Sequence, residues 1–125
     1  MALPKYTKNP VYQMLAEWAN NAGIEIEYVK LERNIFGRYY KDKKLIQMSS
    51  INKYPDEDNA AFTLAHELAH GIIDDYFEYS DDCDKSNWMV YKYMDSDADK
   101  VGSALLSLAM MIYEQNSRKQ FGIDN

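Results

Sequence analysis

The spacing of apolar residues predicts a helix near the start of the chain and short strands after it. Over residues 10–22, apolar side chains recur every three or four positions, as they do on one face of a helix. Asn9-Pro10 supplies an N-cap and a first helical residue. Residues 24–28 alternate between apolar and polar, and residues 36–40 and 45–49 also have strand-like patterns. We expect these three strands to form a small antiparallel sheet.

The second half of the chain has two longer helical patterns, over residues 59–74 and 95–115. The acidic stretch 75–84 between them has the composition of a solvated loop, and residues 116–125 have that of a polar tail. Helices and strands occur in one short chain without an internal repeat or linker. The prediction is therefore an α+β fold, a single domain spanning residues 1–125 with its core in about 10–115.

The helix at residues 59–74 carries the only two histidines, His66 and His70, with Glu67 directly after the first. Residues four apart lie about 5–6 Å from each other on one helix face, so both imidazoles can bind one Zn²⁺. Glu67 is then close enough to take a proton from a water molecule on that metal. Apolar residues cover most of the other faces of this helix, and a metal offsets the cost of burying its polar strip.

A catalytic zinc normally has three protein ligands, so a third is needed besides the two histidines. The last helix opens with three aspartates, Asp95, Asp97 and Asp99. At about 100° per residue, Asp97 falls beside the apolar stripe, while Asp95 and Asp99 fall toward solvent. We therefore predict Asp97 as the third ligand. The alternative is that all three are acids that favour a helix N-terminus.

Charge and cysteine content narrow the class of partner and the compartment. A net charge of −6 with a pI of about 4.8 disfavours a nucleic-acid-binding surface. No apolar run approaches the roughly 20 residues that span a bilayer. The single cysteine, Cys83, lies in the acidic stretch, where a surface thiol is expected. Together with a start that lacks an apolar signal segment, it favours a cytoplasmic location.

Taken together, these residues resemble the ImmA/IrrE family of zinc metallopeptidases. The resemblance rests on Ile46-Gln47-Met48-Ser49, on the run from Ala61 to His70, and on Asp97-Ala98-Asp99. It implies a zincin-like, gluzincin-type core, with a helix, a small sheet, the active-site helix and a later ligand-bearing helix. It also implies His66 and His70 as zinc ligands and Glu67 as general base. Asp97 matches the position where the family usually has a glutamate ligand.

The resemblance also suggests a biological setting. Known relatives belong to phages or mobile elements and act on a cognate transcriptional repressor. Family members often carry a helix-turn-helix domain; this chain is too short for one, so a helix-turn-helix repressor is expected as a separate partner protein. The working hypothesis is a zinc metalloendopeptidase that cleaves a cognate regulatory protein, with the substrate extended along the sheet edge near Ile46–Ser49. The alternative is a zinc-stabilised or degenerate module that binds a regulator without cutting it.

Overall fold

A computed structural model gives the fold of residues 3–33, 35–51, 57–76 and 88–120. At residues 57–58, 74–76, 88–95 and 119–120 it describes the backbone only. After a 3-10 turn at Lys5–Lys8, the elements are α1 (Pro10–Asn21), β1 (Glu25–Val29), β2 (Gly37–Tyr40), β3 (Leu45–Ser49), α2 (Glu57–Tyr76) and α3 (Trp88–Gln120). The predicted α+β class is confirmed.

Local signals in the sequence account for both ends of α1. The side chain of Asn9 accepts a hydrogen bond from the backbone N–H of Tyr12 at 3.0 Å, and Pro10 is the first helical residue. After Ala22 the chain turns at Gly23, whose φ of +78° is in the left-handed region that glycine adopts without strain. The turn leads directly into β1.

The sheet is mixed, and the prediction of an antiparallel sheet is wrong. The strand order is β1-β3-β2: β3 pairs in parallel with β1 and antiparallel with β2. The physical reason lies in burial. Strand β3 carries Ile46 and Met48, both fully buried, and it takes the centre of the sheet. The connection from β1 to β2 therefore passes the end of β3 at Ser49. Both edges of Ile46–Ser49 are paired, so a substrate strand cannot add there, contrary to expectation.

One face of the sheet packs against the helices. Ile26, Ile46 and Tyr39 lie side by side across the three strands and contact the core. The same hydrophobic cluster includes Leu15 and Leu64, from α1 and α2. Helix α2 packs against α1, α3, β2 and β3, so the residues of the histidine motif lie where several elements meet.

Helix α3 is longer than predicted. It begins at Trp88 rather than Asp95, so the aromatic segment 88–93 forms its first turns. It continues to Gln120, so residues 116–120 are helical rather than part of a tail. Helix α2 likewise extends to Tyr76. The predicted loop over residues 54–56, the rest of the acidic stretch at 77–84 with Cys83, and the terminus 121–125 lie outside the described residues.

Candidate metal centre and catalytic carboxylate

The two histidines of α2 turn their rings toward each other. The Nε2 atoms of His66 and His70 lie 3.1 Å apart, and the ring centroids are 4.7 Å apart at an interplanar angle of 83°. Bonds of 2.0–2.1 Å from two nitrogens to one tetrahedral zinc would separate those nitrogens by about 3.3 Å. The imidazoles are thus close to the separation that a shared zinc requires.

Glu67 is one of the few polar side chains buried in the described part of the chain. Its exposure is only 8%. It lies under the start of β2, where a Cβ placed on Gly37 would be 3.3 Å from Glu67 Cγ. A carboxylate held in a site with little water is in the kind of setting where general bases are found.

Asp99 of α3 forms a hydrogen bond with Nδ1 of His66, the ring nitrogen that does not face His70. Its Oδ1 lies 2.7 Å from His66 Nδ1. The side chain of Asp99 is 60% exposed and that of His66 is 20% exposed. A carboxylate can only accept, so Nδ1–H donates, and a neutral His66 then has its lone pair on Nε2. This is the arrangement in which a carboxylate orients a metal-binding histidine.

A glycine allows α3 to approach α2 at this point. A Cβ on Gly102 would lie 3.0 Å from His66 Cα and 3.1 Å from the carbonyl oxygen of Ala65. Gly102 is three residues after Asp99, so both are on the side of α3 that faces His66. The close crossing brings the carboxylate of Asp99 within hydrogen-bonding distance of the imidazole.

Asp99, rather than Asp97, is the aspartate seen to contact a motif histidine. Asp97 is exposed, and the side chain of Asp95 lies outside the described residues. The helical-phase argument placed Asp99 toward solvent; its side chain is indeed largely exposed, yet its carboxylate reaches His66. The assignment of Asp97 as a zinc ligand stays a prediction.

The residues present fit part of a zinc site. His66 and His70 provide two nitrogens at suitable separation, and the buried Glu67 follows His66 on the same helix. Within the described side chains, no group of three or more His, Cys, Asp or Glu residues is arranged to hold a metal ion. The pair therefore defines two candidate ligands.

No protein-family model, no curated protein and no solved structure matches this chain. The resemblance to the ImmA/IrrE family accordingly stays an expectation drawn from the motif residues. Across the ranges that the structure describes, no helix is long and apolar enough to cross a membrane.

Sequence reasoning missed Gly37 and Gly102, and it gave Asp99 no contact with the motif. Glycine inside a predicted helix or strand can signal a close backbone approach, and both glycines fall in such segments. That signal could have marked both positions. It could not have shown that each glycine lies against a residue of the histidine motif, because that depends on how the elements pack.

Proposed function

We propose that this protein is a zinc-dependent metalloendopeptidase. The observation that carries the proposal is the convergence of the His66 and His70 Nε2 atoms to 3.1 Å, on the same helix turn that carries the buried side chain of Glu67. A pair of structural histidines does not require a neighbouring buried carboxylate, whereas hydrolysis requires a base at that place. Zinc, when bound, supplies the Lewis acidity that polarises a scissile carbonyl and makes water nucleophilic near neutral pH.

The protein's own residues have separate tasks in this proposal. His66 and His70 hold the metal, and Asp99 keeps the lone pair of His66 on Nε2. Glu67 accepts a proton from the attacking water and passes it to the leaving amine. The burial of Glu67 reduces competition from bulk water for its carboxylate.

The substrate in this proposal is an extended segment of a protein. Strand β3 is paired on both edges. Among the described strands, β2 lies next to the site and has an edge that could accept another strand. It packs on α2, and its first residue, Gly37, lies against Glu67. A segment pairing with β2 would carry a peptide bond toward the histidine motif. The resemblance to repressor-directed relatives suggests a cognate transcriptional regulator as the partner, in the cytoplasm.

The test uses a mixed-sequence peptide library, with mass spectrometry to detect new termini. We expect the zinc-loaded protein to generate new termini and Glu67→Gln to lose at least 100-fold of that activity, because the amide cannot accept the proton. Zinc content, measured by elemental analysis, should be unchanged in Glu67→Gln. Cleavage by Glu67→Gln at the rate of the unaltered protein would rule out this mechanism.

A second candidate is a module that binds a regulator without cutting it. It is favoured by the fact that the described side chains offer two metal-binding histidines and no third ligand beside them. In that case the zinc-loaded protein generates no termini, and Glu67→Gln retains its effect on the regulator. Protein purified without chelator and free of zinc would favour a degenerate relative of a peptidase.

A further inference from the structure

The contact between β2 and α2 pairs a small residue with a larger one at two successive places. Gly37 of β2 lies against Thr63 and Glu67 of α2. Two residues along the strand, on the same face, Tyr39 lies against Gly71, one helical turn beyond Glu67. The strand therefore lacks a side chain where the helix carries Glu67, and the helix lacks one where the strand carries Tyr39.

Three side chains, including that of Glu67, border the space that a side chain at Gly37 would need. A Cβ at this position would lie 2.9 Å from Thr63 Cγ2, 3.2 Å from Met48 Sδ and 3.3 Å from Glu67 Cγ. The first distance is shorter than a Cβ contact tolerates, so Thr63 or the strand must move. Because Glu67 is one turn from Thr63 on α2, either movement changes the space that confines its side chain.

We infer that Gly37 is a positioning residue for Glu67. The bare backbone at Gly37 forms one wall of the slot in which the Glu67 side chain is held, and it limits the rotamers open to the carboxylate. This inference deepens the proposed function and depends on it for its catalytic meaning. Its structural content, that the absence of a side chain at position 37 fixes Glu67, can be tested independently of any activity.

The substitution Gly37→Ala tests this inference. The φ of Gly37 is outside the left-handed region, so alanine fits the backbone and only the added methyl group causes conflict. With ¹³C-labelled protein, we expect the Glu67 carboxyl resonance to shift. We expect kcat for peptide cleavage to fall about 10–100-fold, with KM changed less than about threefold, because a misplacement of about 1 Å can cost about 100-fold. Zinc content should be retained.

Rescue by Thr63→Ser separates positioning from a general loss of packing. Serine keeps the hydroxyl that donates to the carbonyl oxygen of Asn59 at 2.9 Å, and it removes Cγ2, the atom nearest the new methyl group. The Gly37→Ala/Thr63→Ser double variant should recover most of the lost kcat and return the Glu67 resonance toward its original position. Gly71→Ala is the control. Its added methyl group crowds Ile24 Cδ1 at 2.7 Å and only touches Tyr39 at 3.4 Å, so it should leave the Glu67 resonance in place.

Two outcomes overturn the inference. One is an unchanged Glu67 resonance and kcat in Gly37→Ala. The other is a set of NMR scalar couplings showing that the Glu67 side chain averages among several rotamers. These couplings are measured on the unaltered protein, so they do not depend on whether the variant folds. If the unaltered zinc-loaded protein cleaves nothing, the proposed function fails, while the resonance and coupling measurements still decide the role of Gly37.

Discussion

At the scale of single residues, the contact between Asp99 and His66 does more than pair two polar groups. His66 has two ring nitrogens, and only the one that lacks a proton can bind a metal. By accepting from Nδ1, Asp99 selects the tautomer that presents Nε2 toward His70. A largely exposed carboxylate contributes little to stability through charge alone. Its proposed value lies in orienting the ring.

This role predicts that Asp99→Ala weakens zinc binding by about 10–100-fold, the usual cost of losing an outer partner of a metal-binding histidine. The affinity can be measured by competition with a chromophoric chelator. Asp97→Ala, measured in parallel, tests the ligand predicted from the sequence, since loss of a direct ligand should cost more than the loss of Asp99.

Glu114→Ala provides the control for these two variants. It removes one negative charge, together with an exposed ion pair to Arg118, from a position further along α3, so it reports the effect of charge lost away from the histidines. We expect zinc affinity within about twofold of the unaltered protein. Zinc affinity that is unchanged in Asp99→Ala would show that the contact with His66 does not orient a ligand.

At the scale of elements, the site depends on how closely α3 crosses α2. The atoms nearest a Cβ on Gly102 belong to the backbone of α2, at 3.0–3.1 Å. Backbone atoms cannot rotate away as the end of a side chain can. Small residues continue this contact, since Ala69 of α2 and Ala98 of α3 are fully buried in one cluster. Any larger side chain at position 102 must therefore push the helices apart.

We predict that Gly102→Leu lowers the free energy of unfolding by about 1–3 kcal/mol, the usual cost of overpacking, or more. Leucine is a better helix former than glycine, so helix propensity works against this loss and cannot explain it. Urea denaturation followed by circular dichroism measures the change.

Ser103→Leu is the matched control for Gly102→Leu. It adds a leucine at the next position of the same helix, where the side chain is exposed. We expect a change within about 0.5 kcal/mol. Equal stability of the two variants would mean that the crossing at Gly102 is not tight.

The elements themselves were largely predictable, and their arrangement was not. The N-cap at Asn9 and the apolar periodicity of α1 and α2 are local signals, and both helices form where those signals lie. The order of the strands depends on which strand buries the most apolar surface against the helices, and alternation within a strand does not show that. Leu108 illustrates the same limit: helical spacing places it on one stripe of α3 with Val101 and Leu105, but it is 48% exposed.

At the scale of the whole molecule, the motif was predictable and the residues that support it were not. The spacing of His66, Glu67 and His70 can be recognised in the chain because all three lie on one helix. Gly37, Asp99 and Gly102 come from β2 and α3, and only the packing of those elements on α2 brings them to the motif.

A cluster of tyrosines joins the N-terminal turn and α1 to the sheet. The ring centroids of Tyr6 and Tyr12 are 5.2 Å apart, and the Tyr6 hydroxyl donates to the carbonyl oxygen of Ser49 at the end of β3. The Tyr12 and Tyr28 hydroxyls are 3.0 Å apart and share a hydrogen bond. The cluster thus joins the N-terminal turn, α1, β1 and β3, and its hydroxyls must be neutral to serve as donors.

This cluster predicts a loss of stability in alkali. Burial raises the pKa of the Tyr28 hydroxyl above its usual value of 10.0, and the hydrogen bond with Tyr12 partly offsets that rise. Between the usual pKa and the raised one, the unfolded chain loses this proton while the folded chain keeps it. The contribution of Tyr28 to stability is therefore complete below about pH 10 and is lost as the pH rises through the folded pKa.

The measurement is the free energy of unfolding in urea from pH 7 to pH 11, for the unaltered protein and for Tyr28→Phe. Near neutral pH, the variant should be less stable by about 0.5–1.5 kcal/mol, the net value of a lost hydrogen bond. The gap should narrow above about pH 10, because phenylalanine has no proton to lose. Val29→Ala, which removes no ionisable group from the same strand, should keep a constant gap over this range. A Tyr28→Phe gap that stays constant or widens in alkali would show that the Tyr28 hydroxyl is not held neutral by the fold.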